Sequence, residues 1–499
     1  MKWKTTLVLL LLTIGVGAYV SLYELQQPLP EERARLAKQV VRLKPEEVTS
    51  LLVAFPTTSV TLERQSLDSP AGGVARDVAP QHVWRLTSLR NGRADEGLVN
   101  RILNELNPLE SEQTLKETPD RPLNRADYGL EAPEATLTVA SPQRSITLLF
   151  GSATAVEENR YVALEGSSEI AVVNTSLFEA LDQPLEAFRS HDLVDVKTWD
   201  VRQIAVTSAN RSYTLAKLTN AAQTQQADRW KLLAPLEDAA DSAAASTTLS
   251  KLRALRIERF IAEDVTEAER ARWGLEVPYA TITLTTNEDQ PPLDVVIGKV
   301  TEDDEQQRYA KRSDEPTLYA LKTTSLEELL RDPQELRSQT CFEFFASQVS
   351  KLQVAWEGKS WTVERQDEIW KTNEGTTLDG AAVEEFLWKI RDVKLTRFVD
   401  DAPQDLARYG LDPAQGTIMV WVSGQTEPQT LLIGSTIEQG QTRYGRITAR
   451  SPVVELPEVV NEILKTTPDA FKLTAQANQT TGPGDSLQDG GVRQDREHE

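Results

Sequence analysis

Tyr128-Gly129-Leu130 is followed by two near copies, Trp273-Gly274-Leu275 and Tyr409-Gly410-Leu411, and this repetition decides the fold of the chain. A proline lies two or three residues after each leucine. Glycine suits a turn or helix end that needs a positive φ, and the proline prevents a helix from continuing. Because the same ordered landmarks surround every copy, the sequence predicts a tandem array of one domain.

Two strand-like runs and a helix precede each tripeptide. In the first run apolar residues alternate with other residues. The second run begins eleven residues after the first valine of the first run, and two such runs are typical of a β-hairpin. A tryptophan opens a third run, and an aspartate then stands as a candidate N-cap. Apolar residues four, eight and eleven positions further on form one stripe of a helix. The runs begin at Val48, Val201 and Val349; the tryptophans are Trp84, Trp230 and Trp370; the aspartates are Asp95, Asp241 and Asp379; the stripes are Val99, Leu103, Leu106, then Ala245, Leu249, Leu252, then Val383, Leu387, Ile390.

After each tripeptide come a strand, a second strand that ends in glycine, an Arg-Tyr pair, a last strand and a short helix. The glycines are Gly151, Gly298 and Gly434. The unit therefore runs β-β-β-α-β-β-β-β-α, which predicts an α+β fold: three tandem copies of a mostly antiparallel sheet with helices on one face. We expect repeat domains at 48–195, 196–345 and 346–473, a stalk at 24–47 and a disordered tail at 474–499.

The N-terminus carries a candidate membrane-targeting segment. Nineteen residues without a charge, Thr5 to Tyr23, follow a start that contains Lys2 and Lys4. At about 1.5 Å per residue they cover most of a hydrocarbon core of about 30 Å, and the lysines predict that their end stays in the cytoplasm. We expect an uncleaved N-terminal transmembrane helix in the inner membrane; a cleaved signal peptide is the alternative. Both interpretations place the body in the periplasm or otherwise outside the cytoplasm.

Size and charge agree with this organisation. The 499 residues suggest roughly three domains at about 150 residues each. Lys and Arg number 54 against 76 Asp and Glu, a formal net charge of -22, which argues against nucleic acid as a partner because phosphate binding needs a basic surface. Cys341 is the single cysteine, in an apolar setting that predicts a buried inert thiol.

The recurrent Arg-Tyr pair is the best candidate for an interaction site. The pairs are Arg160-Tyr161, Arg308-Tyr309 and Arg443-Tyr444. We expect each tyrosine to pack and each arginine to face outwards, where its guanidinium could bind a carboxylate or a partner loop. A structural ion pair is the competing interpretation, and the one we prefer.

The sequence gives little support for a catalytic site or a metal site. His82, His191 and His498 have no His or Cys neighbour at metal-ligand spacing. The acidic run 302–305 lacks the glycine and spacing of a calcium loop, so we expect a solvated hairpin tip. No nucleophile elbow, zinc-protease helix or Ser/His/Asp set is recognisable. We expect no catalytic residues, no cofactor and no metal.

The order of the landmarks, from tryptophan through the aspartate-capped helix, the Gly-Leu motif, the Ile-Gly strand and the Arg-Tyr pair, resembles an uncharacterised bacterial family, domain of unknown function 4340. The likeness covers about Val48 to Leu473. Members of that family are typically membrane-anchored and face the envelope, and their genes often lie near those of ABC transporters of the gliding-motility type. The resemblance implies an accessory role beside a transporter and transfers no catalytic residue.

These observations favour a non-enzymatic, membrane-anchored periplasmic scaffold that contacts ABC-transporter subunits or another cell-envelope complex. Its one plausible span and the lack of a nucleotide-binding motif exclude the permease and the ATPase. The alternative is a periplasmic protein that binds or hydrolyses glycans or peptides. A third interpretation is a purely structural spacer.

Overall fold

The computed structural model describes residues 35, 38–66, 82–89, 92–118, 122–155, 158–218, 229–286, 290–437 and 441–473. The predicted anchor Thr5-Tyr23, most of the predicted stalk, the predicted tail 474–499 and His498 lie outside these residues. Within the described part of the chain, no helix is both long enough and apolar enough to cross a membrane.

Three antiparallel sheets dominate the structure. The first contains β1 (Ser50–Ala54), β2 (Ser59–Ser66), β3 (His82–Leu86), β4 (Gly92–Arg93), β5 (Gln113–Leu115), β6 (Ala135–Ala140), β7 (Ser145–Ala153), β8 (Asn159–Leu164) and β9 (Ile170–Asn174). The second contains β10 (Gln203–Ser208), β11 (Ser212–Leu218), β12 (Arg229–Ala234), β13 (Asp238–Ala239), β14 (Arg259–Ala262), β15 (Ala280–Thr285), β16 (Leu293–Val300), β17 (Gln307–Arg312) and β18 (Leu318–Lys322). The third contains β19 (Val349–Trp356), β20 (Lys359–Gln366), β21 (Ile369–Thr372), β22 (Arg397–Asp400), β23 (Gly416–Val422), β24 (Gln429–Thr436), β25 (Arg443–Ile447) and β26 (Val453–Leu456).

Each sheet is accompanied by one longer and one shorter helix. The helices are α1 (Glu96–Leu106), α2 (Ser176–Leu181), α3 (Ser242–Arg253), α4 (Thr323–Glu327), α5 (Gly380–Arg391) and α6 (Val459–Lys465). A 3-10 turn follows each shorter helix, at Leu185–Phe188, Pro333–Leu336 and Pro468–Phe471. Its last residue is buried in every case, which anchors the end of each repeat to a core.

The three sheets share one connectivity. Their strand orders are β4-β3-β2-β1-β6-β7-β8-β9-β5, β13-β12-β11-β10-β15-β16-β17-β18-β14 and β21-β20-β19-β23-β24-β25-β26-β22. In the first, Leu51 stands opposite Leu62 on one side and Val139 on the other. This common order confirms the predicted repetition and the predicted antiparallel sheets.

The predicted helix caps and stripes are also confirmed. Asp95 accepts a hydrogen bond from the Leu98 amide at 2.7 Å. Asp241 accepts one from Ala244 at 2.8 Å. Asp379 accepts one from Ala381 at 3.0 Å. A side-chain oxygen at this position satisfies one of the free amides of the first turn, a contribution of about 1 kcal/mol.

The longer helix of the first repeat packs on its sheet. The predicted stripe residues Val99, Leu103 and Leu106 are buried, and Ile102, which the pattern missed, is fully buried beside them. They share one core with residues of β1 and β2. Burying a side chain of this size stabilises the fold by about 1.5–3 kcal/mol, so this stripe is a main source of stability for the repeat.

The predicted strand count was incomplete. Each repeat contains a short edge strand after its longer helix, namely β5, β14 or β22, and two repeats contain a two-residue strand before that helix, β4 or β13. These strands are too short to show sequence periodicity, because they form by pairing with neighbours that are already in place.

The chain forms two compact units by its internal contacts. One runs up to Thr214 and resumes over Ser246–Arg331, and the other comprises Leu215–Ala245 and the residues from Asp332 onwards. The first unit contains the cores of the first repeat, on both faces of its sheet. The second contains the two cores of the third repeat.

Candidate interaction site and inter-repeat interfaces

The tyrosine of each Arg-Tyr pair packs edge-on against the aromatic residue of the Gly-Leu motif. The ring centroids are 4.9 Å apart for Tyr128 and Tyr161. They are 4.8 Å apart for Trp273 and Tyr309, and 5.1 Å apart for Tyr409 and Tyr444. Such edge-to-face pairs contribute about 0.5–1.5 kcal/mol beyond their buried area. The two recurrent motifs are therefore one structural element.

The arginine of each pair donates to the carbonyl of the glycine that was predicted to end a strand. Arg160 Nη1 lies 2.5 Å from Gly151 O. Arg308 Nη1 lies 3.3 Å from Gly298 O, and Arg443 Nη1 lies 3.1 Å from Gly434 O. The register of the sheet shifts at each of these glycines, between Phe150 and Ala153 in the first repeat. The guanidinium thus satisfies a carbonyl that the irregular ladder leaves available.

The glycines of this element are required by space. A Cβ on Gly151, Gly298 or Gly434 would lie 2.1 Å from the carbonyl oxygen of the motif's aromatic residue. Gly129 and its two equivalents have φ between 67° and 70°, the left-handed conformation that favours glycine. The tripeptide is therefore fixed on the sheet by a close backbone approach that side chains would prevent.

The predicted outward orientation of the arginines does not hold for Arg160, which is only 8% exposed. Its guanidinium forms an ion pair with Glu134 at 2.6 Å and stacks 3.6 Å over the Phe178 ring. Arg308 stacks over Tyr279, and Arg443 over Trp356. These contacts give the three pairs a role inside the fold, and their part in binding a partner stays a prediction.

A first inter-repeat interface, between the first and second repeats, lies within the first compact unit. Arg93 on β4 donates through Nε to Glu315 at 2.7 Å, and Tyr319 also donates to Glu315. Asp195, the last residue of the first predicted repeat domain, lies 3.4 Å from Arg93 and 3.3 Å from Arg312. Burial alone would raise the pKa of the Asp195 carboxyl, but these two guanidinium groups hold it below its ordinary value.

A second inter-repeat interface, between the second and third repeats, lies within the second compact unit. Asp238 on β13 accepts from Arg337 Nε at 2.9 Å and from Arg450 Nε at 2.6 Å. The side chains of Asp238 and Arg337 have no exposed surface. Burial would raise the pKa of Asp238, but the hydrogen bonds and charges of Arg450 and Arg337 lower it. Arg337 is also 2.8 Å from Asp401.

The two interfaces share a pattern. The arginine that follows the last 3-10 turn of one repeat stacks on a phenylalanine of the next: Arg189 lies 3.5 Å over Phe260, and Arg337 lies 3.3 Å over Phe398. Each arginine also pairs with an acid of the next repeat, Arg189 with Glu263 at 2.7 Å and Arg337 with Asp401 at 2.8 Å. A buried cation over an aromatic face contributes about 2 kcal/mol, so the pattern anchors neighbouring repeats.

The outer repeats depart from this pattern on the side where the described residues contain no further repeat. The second residue of the edge strand, phenylalanine in β14 and β22, is Thr114 in β5. The residue after the last 3-10 turn, arginine in the first two repeats, is Lys472 in the third, and its side chain is 63% exposed. Recurrence in the sequence does not mark this set, because its signal lies at the positions where the aligned repeats differ.

The remaining candidates have ordinary surroundings. Cys341 is 5% exposed, as predicted, and burial raises the pKa of its thiol to about 12. His191 Nδ1 lies 2.8 Å from Ile257 O. In the acidic run, Asp303 pairs with Arg259. Among the described residues no group of three or more His, Cys, Asp or Glu is placed to hold a metal ion.

Comparison with known proteins agrees with the repeats. The sequence model of the family described as Domain of unknown function (DUF4340) matches residues 84–269, 230–380 and 370–481. No curated protein matches the chain. Among solved structures, a crystal structure of the DNA polymerase sliding clamp from Pseudomonas aeruginosa with ligand shares 8% identity, with 85% of this chain and 94% of that chain covered and a TM-score of 0.14. That TM-score is too low to indicate a common fold.

Proposed function

We propose that the chain, which belongs to the DUF4340 family, is a membrane-anchored, non-enzymatic scaffold. It holds its three repeats in the periplasm, or otherwise outside the cytoplasm, beside an ABC-type transporter or another cell-envelope complex. Thr5-Tyr23 forms the transmembrane helix that attaches it to the inner membrane. The family itself has no assigned function, so the proposal rests on the features of this chain and on the resemblance set out above.

One observation carries the scaffold part of the proposal: the residues that recur in all three repeats are engaged inside the fold. The recurrent arginines donate to glycine carbonyls, and the recurrent tyrosines pack on the Gly-Leu motif. A catalytic or ligand-binding family of repeats would place some recurrent polar groups in an open concave site. What the repeats share here is architecture, which suits a protein that offers surface.

The inter-repeat interfaces support the same proposal. Ion pairs with buried arginines and stacked guanidinium groups connect neighbouring repeats in each compact unit. Removing one partner of such a buried pair is costly, so these contacts resist rearrangement. A scaffold benefits from fixed spacing between its surfaces. The transporter as partner comes from the family resemblance, and the anchor comes from the charge-free segment.

The test is photo-crosslinking of the full-length protein in its own membrane. A photoreactive residue replaces Trp199, Val277 or Trp388, which are 65%, 87% and 52% exposed. Captured partners are identified by mass spectrometry. A matched control lacks residues 1–23, so it keeps every crosslinking position but loses the proposed anchor. External protease applied to spheroplasts reports separately on which side of the membrane the body lies.

We expect the anchored protein to capture the permease subunits of the transporter or subunits associated with its ATPase. The control that lacks residues 1–23 should capture far less of them. Capture of wall glycan or peptide alone would favour the alternative, a periplasmic glycan- or peptide-binding or hydrolytic protein. Capture of nothing from any position would refute the scaffold proposal. A body that resists external protease in spheroplasts would refute its location.

A further inference from the structure

The recurrent arginine of the second repeat lacks a partner that its equivalent in the first repeat has. Arg160 donates to the carboxylate of Glu134 at 2.6 Å. In the described part of the chain, the guanidinium of Arg308 forms no ion pair: it donates to the carbonyl of Gly298 and stacks on the ring of Tyr279. The second repeat thus holds a guanidinium in place without the carboxylate that accompanies it in the first.

A single position accounts for this difference. The residue just before β6 is Glu134, the residue just before β15 is Tyr279, and the residue just before β23 is Gln415. Their backbone amides donate to the strand that follows, at the carbonyls of Phe150, Ile297 and Ile433. The three residues are therefore equivalent. In the third repeat, Arg443 Nη1 lies 3.5 Å from the side-chain oxygen of Gln415, so only the second repeat has no side-chain acceptor at this position.

The Arg308 guanidinium has donors left for an acceptor from another molecule. Its Nη1 lies 3.3 Å from Gly298 O, and its Nη2 has no hydrogen-bond partner among the described residues and is not fully buried. Its Nε is buried, as that of Arg160 is, so a ligand meets the Nη groups. The side chain of Glu134 is 51% exposed, which places the carboxylate position of the first repeat at the surface. The equivalent place beside Arg308 is therefore open to an external carboxylate.

The contacts of Arg308 prepare it for binding. The centre of its guanidinium lies 3.6 Å from the centroid of the Tyr279 ring. Stacking on a ring face leaves the N–H groups at the edge of the guanidinium plane, where they can meet a carboxylate as two parallel donors. A side chain that is already held loses less conformational entropy when a ligand binds.

The neighbouring surface suits a protein partner. Val277, two residues before Tyr279, is 87% exposed. Tyrosine and arginine are among the residue types that contribute most to protein–protein binding, and an apolar neighbour adds area that a partner can bury. Glu302 lies beside the tyrosine of this Arg-Tyr pair but forms its ion pair with Lys299, at 3.5 Å. The neighbouring acid therefore leaves Arg308 available.

We propose that Arg308 and Tyr279 form a docking site for a carboxylate of a partner protein, the side chain of a glutamate or aspartate in an exposed loop. The guanidinium binds this carboxylate in the place that Glu134 fills in the first repeat. The first and third repeats cannot offer the same site, because Glu134 and Gln415 already occupy it. The site rests on the proposed scaffold function for its biological partner, and it assigns the contact to the second repeat.

The test is a titration of the full-length protein with two peptides that differ in one carboxylate, acetyl-Gly-Glu-Gly-amide and acetyl-Gly-Gln-Gly-amide. A trifluoromethyl label on Val277→Cys reports binding by fluorine NMR. Cys341 escapes labelling, because it is 5% exposed and burial raises the pKa of its thiol to about 12. The titration needs no membrane partner, so failure of the site and failure of the scaffold role are separate outcomes.

Three variants in the labelled background locate the binding. Tyr279→Glu supplies the internal carboxylate of the first repeat, and Arg308→Gln removes the guanidinium. The matched control, Gln415→Glu, makes the same kind of change in the third repeat and leaves Arg308 untouched. Circular dichroism shows whether each variant folds. If Arg308→Gln does not fold, Tyr279→Glu decides, since the first repeat accepts glutamate at the equivalent position.

We expect the glutamyl peptide to bind about tenfold more tightly than the glutaminyl peptide, a difference of about 1.4 kcal/mol. The control should keep this preference, and Tyr279→Glu and Arg308→Gln should lose it. The preference should also weaken as salt is added, because the site is at the surface. Equal binding of the two peptides by the labelled protein overturns the proposal, and so does a folded Tyr279→Glu variant that keeps the preference.

Discussion

Removing the Asp238 carboxylate should destabilise the protein far more than removing an exposed one. Asp238 accepts hydrogen bonds from two buried arginines, and its side chain has no exposed surface. In Asp238→Ala, Arg337 keeps Gln334 and Asp401 as partners, each at 2.8 Å. Arg450 keeps a marginal contact with Thr340 O at 3.5 Å and lies 5.5 Å from the centre of the Phe398 ring, and neither is a carboxylate. The substitution therefore leaves one buried guanidinium without a counter-charge.

Breaking a buried ion pair by removing one partner typically costs about 3–5 kcal/mol, and the geometry places Asp238→Ala in that range. The assay is urea unfolding followed by circular dichroism and tryptophan fluorescence. With a slope of about 2–3 kcal/mol per molar urea, the midpoint should fall by about 1–2 M. The matched control is Glu364→Ala, whose partner Lys351 is half-exposed, and it should cost less than about 1 kcal/mol.

A second substitution sharpens the test. Adding Arg450→Leu to Asp238→Ala removes the unpaired charge and places an apolar side chain in a buried site. The double variant should be more stable than Asp238→Ala alone, because an apolar replacement of a buried pair is often neutral or stabilising. The reasoning is refuted if Asp238→Ala loses no more stability than Glu364→Ala, or if the double variant is the less stable of the two.

Three further predictions follow from single residues. Gly434→Ala would place its Cβ 2.1 Å from Tyr409 O and should lower the free energy of unfolding by about 1–3 kcal/mol. The control Gly380→Ala, whose Cβ would meet nothing closer than 3.8 Å, should be neutral or slightly stabilising. Equal effects of the two substitutions in urea unfolding would contradict the close approach at Gly434. The pKa of Asp238 is held below 3.8 in the folded protein, so its stabilisation is present above about pH 3.8 and disappears as the pH falls through the lower folded value. Asp238→Asn should therefore flatten the pH dependence of stability below about pH 4, and an unchanged acid profile would count against it. The Cys341 thiol is buried and its pKa is raised to about 12, so a thiol reagent should label the native protein only as fast as it unfolds, and rapid labelling without unfolding would disprove the burial.

The sequence was sufficient for the features that repeat within each domain. Asp95 and its equivalents cap helices, and the stripes of Val99, Leu103 and Leu106 face a core, because capping and amphipathic spacing are local properties. The glycine of the Gly-Leu motif has the positive φ expected of it. Local properties such as capping and amphipathic spacing produce patterns that can be recognised in a single sequence.

The candidate site could not be predicted from local patterns in the same way. The Arg-Tyr pair was recognised by recurrence, but the partner that its arginine shares in all three repeats is a glycine carbonyl, Gly151 O for Arg160, a backbone atom that no side-chain pattern identifies. The inter-repeat interfaces depend on residues 222 positions apart, such as Arg93 and Glu315. Their signal lies in what differs between repeats, whereas recurrence draws attention to what they share.

The strand order of the first sheet has a practical consequence for experiments on fragments. The first family match begins at residue 84, at the start of Trp84-Arg85-Leu86, whereas the sheet begins at β1. Strands β1 and β2 lie between β3 and β6, so a fragment that starts at Trp84 lacks the two strands that connect the halves of the sheet. It would expose two open edges and would be prone to aggregate. A fragment that begins in the segment before Val48 keeps the sheet whole, and aggregation of the shorter piece says nothing about whether a repeat can fold alone.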